Sequence, residues 1–194
     1  MADVPSTRQE QAYSPTARRF HWWTVVFILI QVPLGLYMAY RGNTLGIFDG
    51  LTNFLYSSHK ALGILIFIVV VWRLIYRLVH GAPPPEPTLA WWQRIGAEFN
   101  HWGLYALLLL VPILGYIGVS LYPALGLFDV VTLPGIVSPN QEAAGTAFYY
   151  HWLAAVVLVL LVAMHFGAAL FHYLIRRDGV LARMLPSAGR RDGK

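Results

Sequence analysis

Residues 149–177 read YYHWLAAVVLVLLVAMHFGAALFHYLIRR. Most of the stretch is apolar, and it is long enough to cross a bilayer as a helix, which takes roughly 20 such residues. A lone strand would leave its backbone groups unpaired in lipid, so only a helix serves. Yet the stretch carries His151, His165 and His172. At 100° per residue, His151 and His165 project from nearly the same face, about 21 Å apart along the axis. Two imidazoles on one face at two depths suit two ligand sites stacked across a membrane.

Composition sets the class. Of 194 residues, 57% are hydrophobic and 12% charged, and the mean hydropathy is +0.55. Soluble domains carry about a quarter charged residues, so this is a membrane protein. There is no cysteine. That excludes disulfides, cysteine-held iron–sulfur clusters, zinc-thiolate sites and covalent haem attachment. Three further segments match the required length, at about Phe20–Tyr40, Tyr56–Leu78 and His101–Leu121, and the opening stretch supplies a fourth, about Ala147–Ile175. The expected fold is all-α, a four-transmembrane-helix bundle spanning residues 20–178. A cytoplasmic segment (1–19) precedes it and a basic cytoplasmic tail (179–194) follows.

Between the second and third spans, GAPPPEPTLA (81–90) reads as a stiff connector. WWQRIGAEFN (91–100) reads as a short interfacial piece with a Trp anchor, and 122–146 as a loop. No internal repeat is evident beyond the helices themselves. Of the fourteen Lys and Arg residues, alternation of the spans leaves only Arg41 and Lys60 on one side. The twelve others mark the cytoplasmic side by the positive-inside rule, with both termini there. The net charge of +5 thus expresses topology, and no nucleic-acid partner is expected.

Other helices offer imidazoles at matching depths. His59, early in the second span, is level with His151. His21 and His101 open the first and third spans, and either can meet His165. A lone membrane histidine is as often a packing residue as a ligand, and His80, beside the connector, is expected to be solvated. Histidines at paired depths in a chain with few intramembrane carboxylates point instead to a cofactor. Zinc or copper transport favours sites enriched in carboxylate, Met or Cys, which these helices lack near the histidines. Haem iron needs only two axial nitrogens on opposite sides of a flat ring. It also needs a slot, and small residues lie near the ligands: Gly63, Ala154, Ala155, Gly167, Ala168 and Ala169, with Gly35 and Gly115 on facing helices. Singly, each such residue is explained by helix packing. Arg18, Arg19 and Arg73 at one end, and Arg41 or Lys60 at the other, can pair with propionates.

In order and spacing, ARRFHWW, SSHKALGI, HWGLYALLLLVPILGY and YYHWLAAVVLVLLVAMHFGAALFHYLIRRDGVLARMLP resemble the bacterial cytochrome b561 family. These are four-helix, two-haem b proteins of the inner membrane, related to the cytochrome b subunits of nickel–iron hydrogenases. The resemblance covers about residues 13–186. It implies that His21 and His165 ligate a cytoplasmic-side haem b and that His59 and His151 ligate an outer one. It also implies electron transfer from superoxide to ubiquinone. Lys60, next to His59, and Arg41 are the expected attractors of superoxide, and His172, Arg73 and Arg77 the expected quinone neighbourhood. Against this, the outer side also carries Asp49, Asp129 and Glu142, which weaken the cationic field that an anionic substrate calls for. Two other functions are consistent with the sequence. One is an electron-conduit subunit fed by a partner dehydrogenase or hydrogenase docked on 122–146. The other is a haem-free histidine carrier of metal ions or protons.

Overall fold

The computed structural model describes residues 12–185. Expectations resting on Arg8, Arg190, Arg191 and Lys194 fall outside them. Four helices, each long and apolar enough to cross a membrane, make up nearly all of it. They are α1 (Pro15–Ala39), α2 (Gly50–His80), α3 (Trp91–Leu121) and α4 (Gln141–Phe171). Helix α1 continues as a π-helical turn over Tyr40–Thr44, and α4 as another over His172–Arg176.

Every helix begins earlier than the bilayer-length spans suggest, and a capping side chain explains most of the starts. Ser14 Oγ accepts from the Ala17 N–H at 3.2 Å, with Pro15 at the first helical position. Asp49 Oδ1 accepts from the Thr52 N–H at 2.9 Å, and Asn140 Oδ1 from the Ala143 N–H at 3.1 Å. At the start of α3, the Ala90 N–H donates to Gln93 Oε1 at 2.9 Å. The segment 91–100 is therefore not a separate interfacial piece but the first turns of α3. Because α4 starts at Gln141, the loop expected over 122–146 is shorter. It holds a small antiparallel hairpin, β1 (Gly126–Leu127) against β2 (Val131–Thr132). Gly81, at φ 71°, ends α2 in a left-handed turn that suits glycine, and the Pro-rich connector follows without regular structure.

Helix α1 packs on α2 and α3 on α4, and an α2–α3 contact joins the two hairpins. The shared core is thin. Ile66 and Val70 of α2 meet Tyr105 and Leu108 of α3 and Leu158 of α4, in a layer midway along the helices. Large apolar side chains such as Leu29, Trp72 and Leu160 point outward, as they do in a bundle whose solvent is lipid. At the end where α1 starts, the chain closes on itself. Arg18 Nη1 donates to the Leu185 carbonyl and Trp22 Nε1 to the Met184 carbonyl, both at 2.8 Å. Arg73, Arg77, Arg94, Arg176, Arg177 and Arg183 share this basic end, whereas Arg41 and Lys60 lie at the hairpin end.

Candidate functional site: two levels of paired imidazoles

At the hairpin end, the His59 and His151 ring centroids stand 6.1 Å apart, with planes at 82°. Fourteen residues further along α4, His165 faces His21 at 6.2 Å and 67°. His165 also faces His101, at 5.5 Å and 65°. All five rings are half-buried. Among the described residues, no three His, Cys, Asp or Glu side chains converge as a metal-ion site requires.

Glycines let the hairpin-end rings in. A Cβ at Gly35 would lie 2.9 Å from His59 Cε1, and one at Gly115 would lie 3.0 Å from His151 Nδ1. A residue without a side chain also uncovers the carbonyl one turn before it. Below Gly115 that carbonyl belongs to Val111, and His151 Nδ1–H donates to it at 2.9 Å. The bond fixes the tautomer and leaves Nε2 as the free lone pair. Beside His59 sits Gln31, which sequence reasoning missed. Its Nε2 donates to the His59 carbonyl at 3.0 Å, over the gap that Gly63 leaves. Gln31 Oε1 and His59 Nδ1 are both buried without a partner.

The level at the basic end is wired differently. Arg73 Nη2 lies 3.1 Å from His21 Nδ1. A guanidinium can only donate, so Nδ1 accepts. Arg73 and Arg77 share the Tyr105 ring, at 5.2 and 5.9 Å, and Arg77 also lies over Trp102 at 5.5 Å. No hydrogen bond or ion pair links His172 to either arginine among the described residues. Instead, the buried His172 Nδ1–H donates to Asp178 Oδ2 at 2.6 Å.

Neither hairpin-end cation stands free. Arg41 Nη2 pairs with Asp49 Oδ2 at 2.6 Å, and Arg41 Nε donates to Thr52 Oγ1 at 3.0 Å. Lys60 Nζ donates to the carbonyls of Ala124, at 2.9 Å, and Gly126. With Ser57 Oγ accepting from the Phe128 N–H at 3.0 Å, Lys60 straps the hairpin to α2. Asp49 is held at about 2, first by the Thr52 N–H and then by the Arg41 guanidinium.

These residues fit haem. An iron between two imidazoles sets the ring centroids about 6.3 Å apart, from two metal–nitrogen bonds of about 2.0 Å and two ring radii of about 1.15 Å. The His59–His151 and His21–His165 separations match within a few tenths of an ångström. The orphaned His59 Nδ1 and the glycine-cleared flanks are what a ligand cradle leaves when seen from the protein alone. A four-helix membrane bundle with imidazoles paired across facing helices is the architecture of a membrane cytochrome b.

Comparison with known proteins agrees. Residues 12–187 match the prokaryotic cytochrome b561 family, and the chain belongs to it. Cytochrome b561 homolog 2 of Escherichia coli K12 is 32% identical over 186 residues, 92% of this chain and 94% of the relative. Homolog 1 of the same organism is 30% identical, over 90% and 97% of the two chains. A Yersinia pestis protein described as probable superoxide oxidase CybB is 30% identical over 136 residues, 66% and 73% of the two. Membership makes this a bacterial membrane electron-transfer protein and implies haem b as its cofactor.

Proposed function

We propose that the chain is a two-haem b oxidoreductase that moves single electrons across the bacterial inner membrane, from superoxide outside to ubiquinone. One observation carries the reading: two imidazole pairs with ring separations of 6.1 and 6.2 Å, set at two depths by the fourteen residues between His151 and His165. His59 and His151 would hold the outer haem, and His21 and His165 the inner one. Bound haem would supply a one-electron iron couple.

The chain's own residues orient, exclude water and steer. Val111 keeps the His151 Nε2 lone pair directed into the site. The hairpin, tied down through Lys60 and Ser57, covers the outer level against water. Among the described residues Lys60 bonds only to neutral carbonyls, so its charge stays uncompensated and attracts an anion. Arg41 is neutralised by Asp49 and contributes less. At the basic end, Arg73, Arg77 and His172 form the quinone neighbourhood, where the His172–Asp178 pair can hold a proton at Nδ1. That end is cytoplasmic, with residues 1–19 and 179–194, by the excess of arginine there. The superoxide assignment draws on the name of the Yersinia relative and on Lys60.

The decisive measurement is a dithionite-reduced minus oxidised spectrum with haem quantified per chain. Expected are an α-band near about 560 nm and about two haems, reduced by superoxide and reoxidised by ubiquinone. Haem-supplied protein without an α-band would overturn the reading. One observation favours a second reading, an electron conduit fed by a partner protein. Val130 is 83% exposed and Ile136 57%, giving the hairpin end an apolar patch. Crosslinking from Val130 that captures a redox protein, together with inertness towards superoxide, would favour that alternative.

A further inference from the structure

His21-Trp22 is followed by Gly35, and His101-Trp102 by Gly115, with fourteen residues from histidine to glycine in both. The two glycines face equivalent rings. A Cβ at Gly35 would meet His59 Cε1 at 2.9 Å and Nδ1 at 3.2 Å, and one at Gly115 would meet His151 Nδ1 at 3.0 Å and Cε1 at 3.1 Å. The hairpins α1–α2 and α3–α4 are thus two copies of one plan, in which α1 serves α2 as α3 serves α4. An amide pins each copy in register. Gln31 Nε2 donates to the His59 carbonyl at 3.0 Å, and Asn100 Nδ2 to the Leu161 carbonyl at 3.2 Å.

Only one copy makes the bond that the plan offers. His151 Nδ1–H donates at 2.9 Å to the carbonyl of Val111, one turn before Gly115. One turn before Gly35 stands Gln31, yet His59 Nδ1 is buried without a partner. Buried ring nitrogens of this kind are nearly always bonded. The His59 ring is turned slightly. Its third atom facing the glycine is Nε2, at 3.9 Å, where His151 presents Cγ at the same distance. Setting His59 as His151 is set swings Nε2 away from Gly35 and brings Nδ1 to the Gln31 carbonyl. A carbonyl oxygen has two lone pairs, so one remains beside the bond that the helix uses. Gln31 Oε1 is also buried and unpartnered, but Val111 has no side-chain acceptor and its copy still holds the ring.

We propose that the backbone carbonyl of Gln31 accepts from His59 Nδ1–H, and that Gly35 is the positioning residue that uncovers it. The proposal rests on the reading that His59 and His151 hold a haem. Gly35 acts through His59. The bond keeps the ring proton on Nδ1, leaves Nε2 as the lone pair for a metal and makes the ring a stronger donor. A stronger donor favours the ferric state of a bound iron over the ferrous one. Both hairpin-end imidazoles are then oriented by main chain, and the two glycines are the places where a single methyl group would disturb them.

The test uses wild type and G35A as haem-loaded full-length protein, with haem quantified per chain. Solid-state NMR of the reduced, diamagnetic protein, labelled in ring nitrogens and carbonyl carbons, reads the distance from His59 Nδ1 to the Gln31 main-chain carbon. Expected is a separation of about 4 Å or less, equal to that between His151 Nδ1 and the Val111 carbon. In G35A that separation should grow. The midpoint potential of the hairpin-end haem should rise by about 59 mV, which is an about 10-fold loss of preference for the ferric state. The other haem should keep its potential. A potential unchanged in G35A overturns the positioning role of Gly35. Should G35A fail to fold or to hold that haem, wild type decides alone. Two haems with His59 Nδ1 far from the Gln31 main-chain carbon, or close to its side-chain amide carbon instead, overturn the proposal and leave the haem reading intact. Wild type without haem overturns that reading, and the proposal falls with it.

Discussion

Gly115 has a hydrogen where any other residue would put a methyl group 3.0 Å from His151 Nδ1. Its absence gives the ring both its place and its bond to the Val111 carbonyl. In G115A the ring must give by a few tenths of an ångström, which strains its bond to that carbonyl and turns the free Nε2 off its aim. Haem content should fall from about two per chain to about one, with the inner α-band retained, as a pyridine haemochrome assay would read. Gln31 acts on the partner ring from the opposite helix pair. Q31L removes the side-chain donor to the His59 carbonyl, so outer-haem affinity should fall about 10-fold or more in a haem titration of the apoprotein. Wild-type affinity in Q31L would make Gln31 a packing residue only. The histidines were legible in the sequence because ionisable groups are rare in lipid. Gln31 and Asn100 carried the same kind of signal, as lone amides in or at the edge of apolar runs, but an uncharged amide is easily passed over. Which glycine faced which ring was not legible, since it depends on the azimuth of two helices at once.

At the scale of elements, hydropathy gave the number and order of the helices. It missed their ends, because a bilayer sets only the length of the apolar part. The described helices reach 31 residues and end where caps stop them. Asp49 is the clearest case, with a carboxylate that serves both the first turn of α2 and Arg41. Its pKa falls from the ordinary 3.8 to about 2, so the ionised form is the one bound in the fold. Stability from this cap is complete above about pH 4 and is lost as pH falls through about 2. Amide exchange at Thr52 should therefore stay protected down to that range and then rise. In D49N, which has no charge to lose, protection should not change with pH there. A wild-type transition centred near pH 4 would show that Arg41 and Thr52 do not hold the carboxylate in solution.

For the molecule as a whole, the unequal placement of charge carries two consequences. The basic end crowds its arginines around aromatic rings and backbone carbonyls, which closes the bundle. The hairpin end has two cations, and their partners decide what each can do at a distance. Arg41 and Asp49 form a close ion pair whose field cancels beyond a few ångströms, more so at physiological salt, where the Debye length is about 8 Å. Lys60 is bonded to dipoles rather than to an anion, so a full positive charge remains beside His59. Electrostatic focusing of this kind changes association rates by about 10- to 10³-fold. The second-order rate of haem reduction by superoxide should therefore fall about 10-fold in K60M and lose most of its ionic-strength dependence. R41M should change it little. Because Lys60 also straps the hairpin, K60M alone would confuse steering with loosening, and K60R separates them by keeping the charge while altering the strap. A K60R rate near wild type places the effect in the field. A K60R rate as low as that of K60M places it in the hairpin, and the anion-steering role of Lys60 falls.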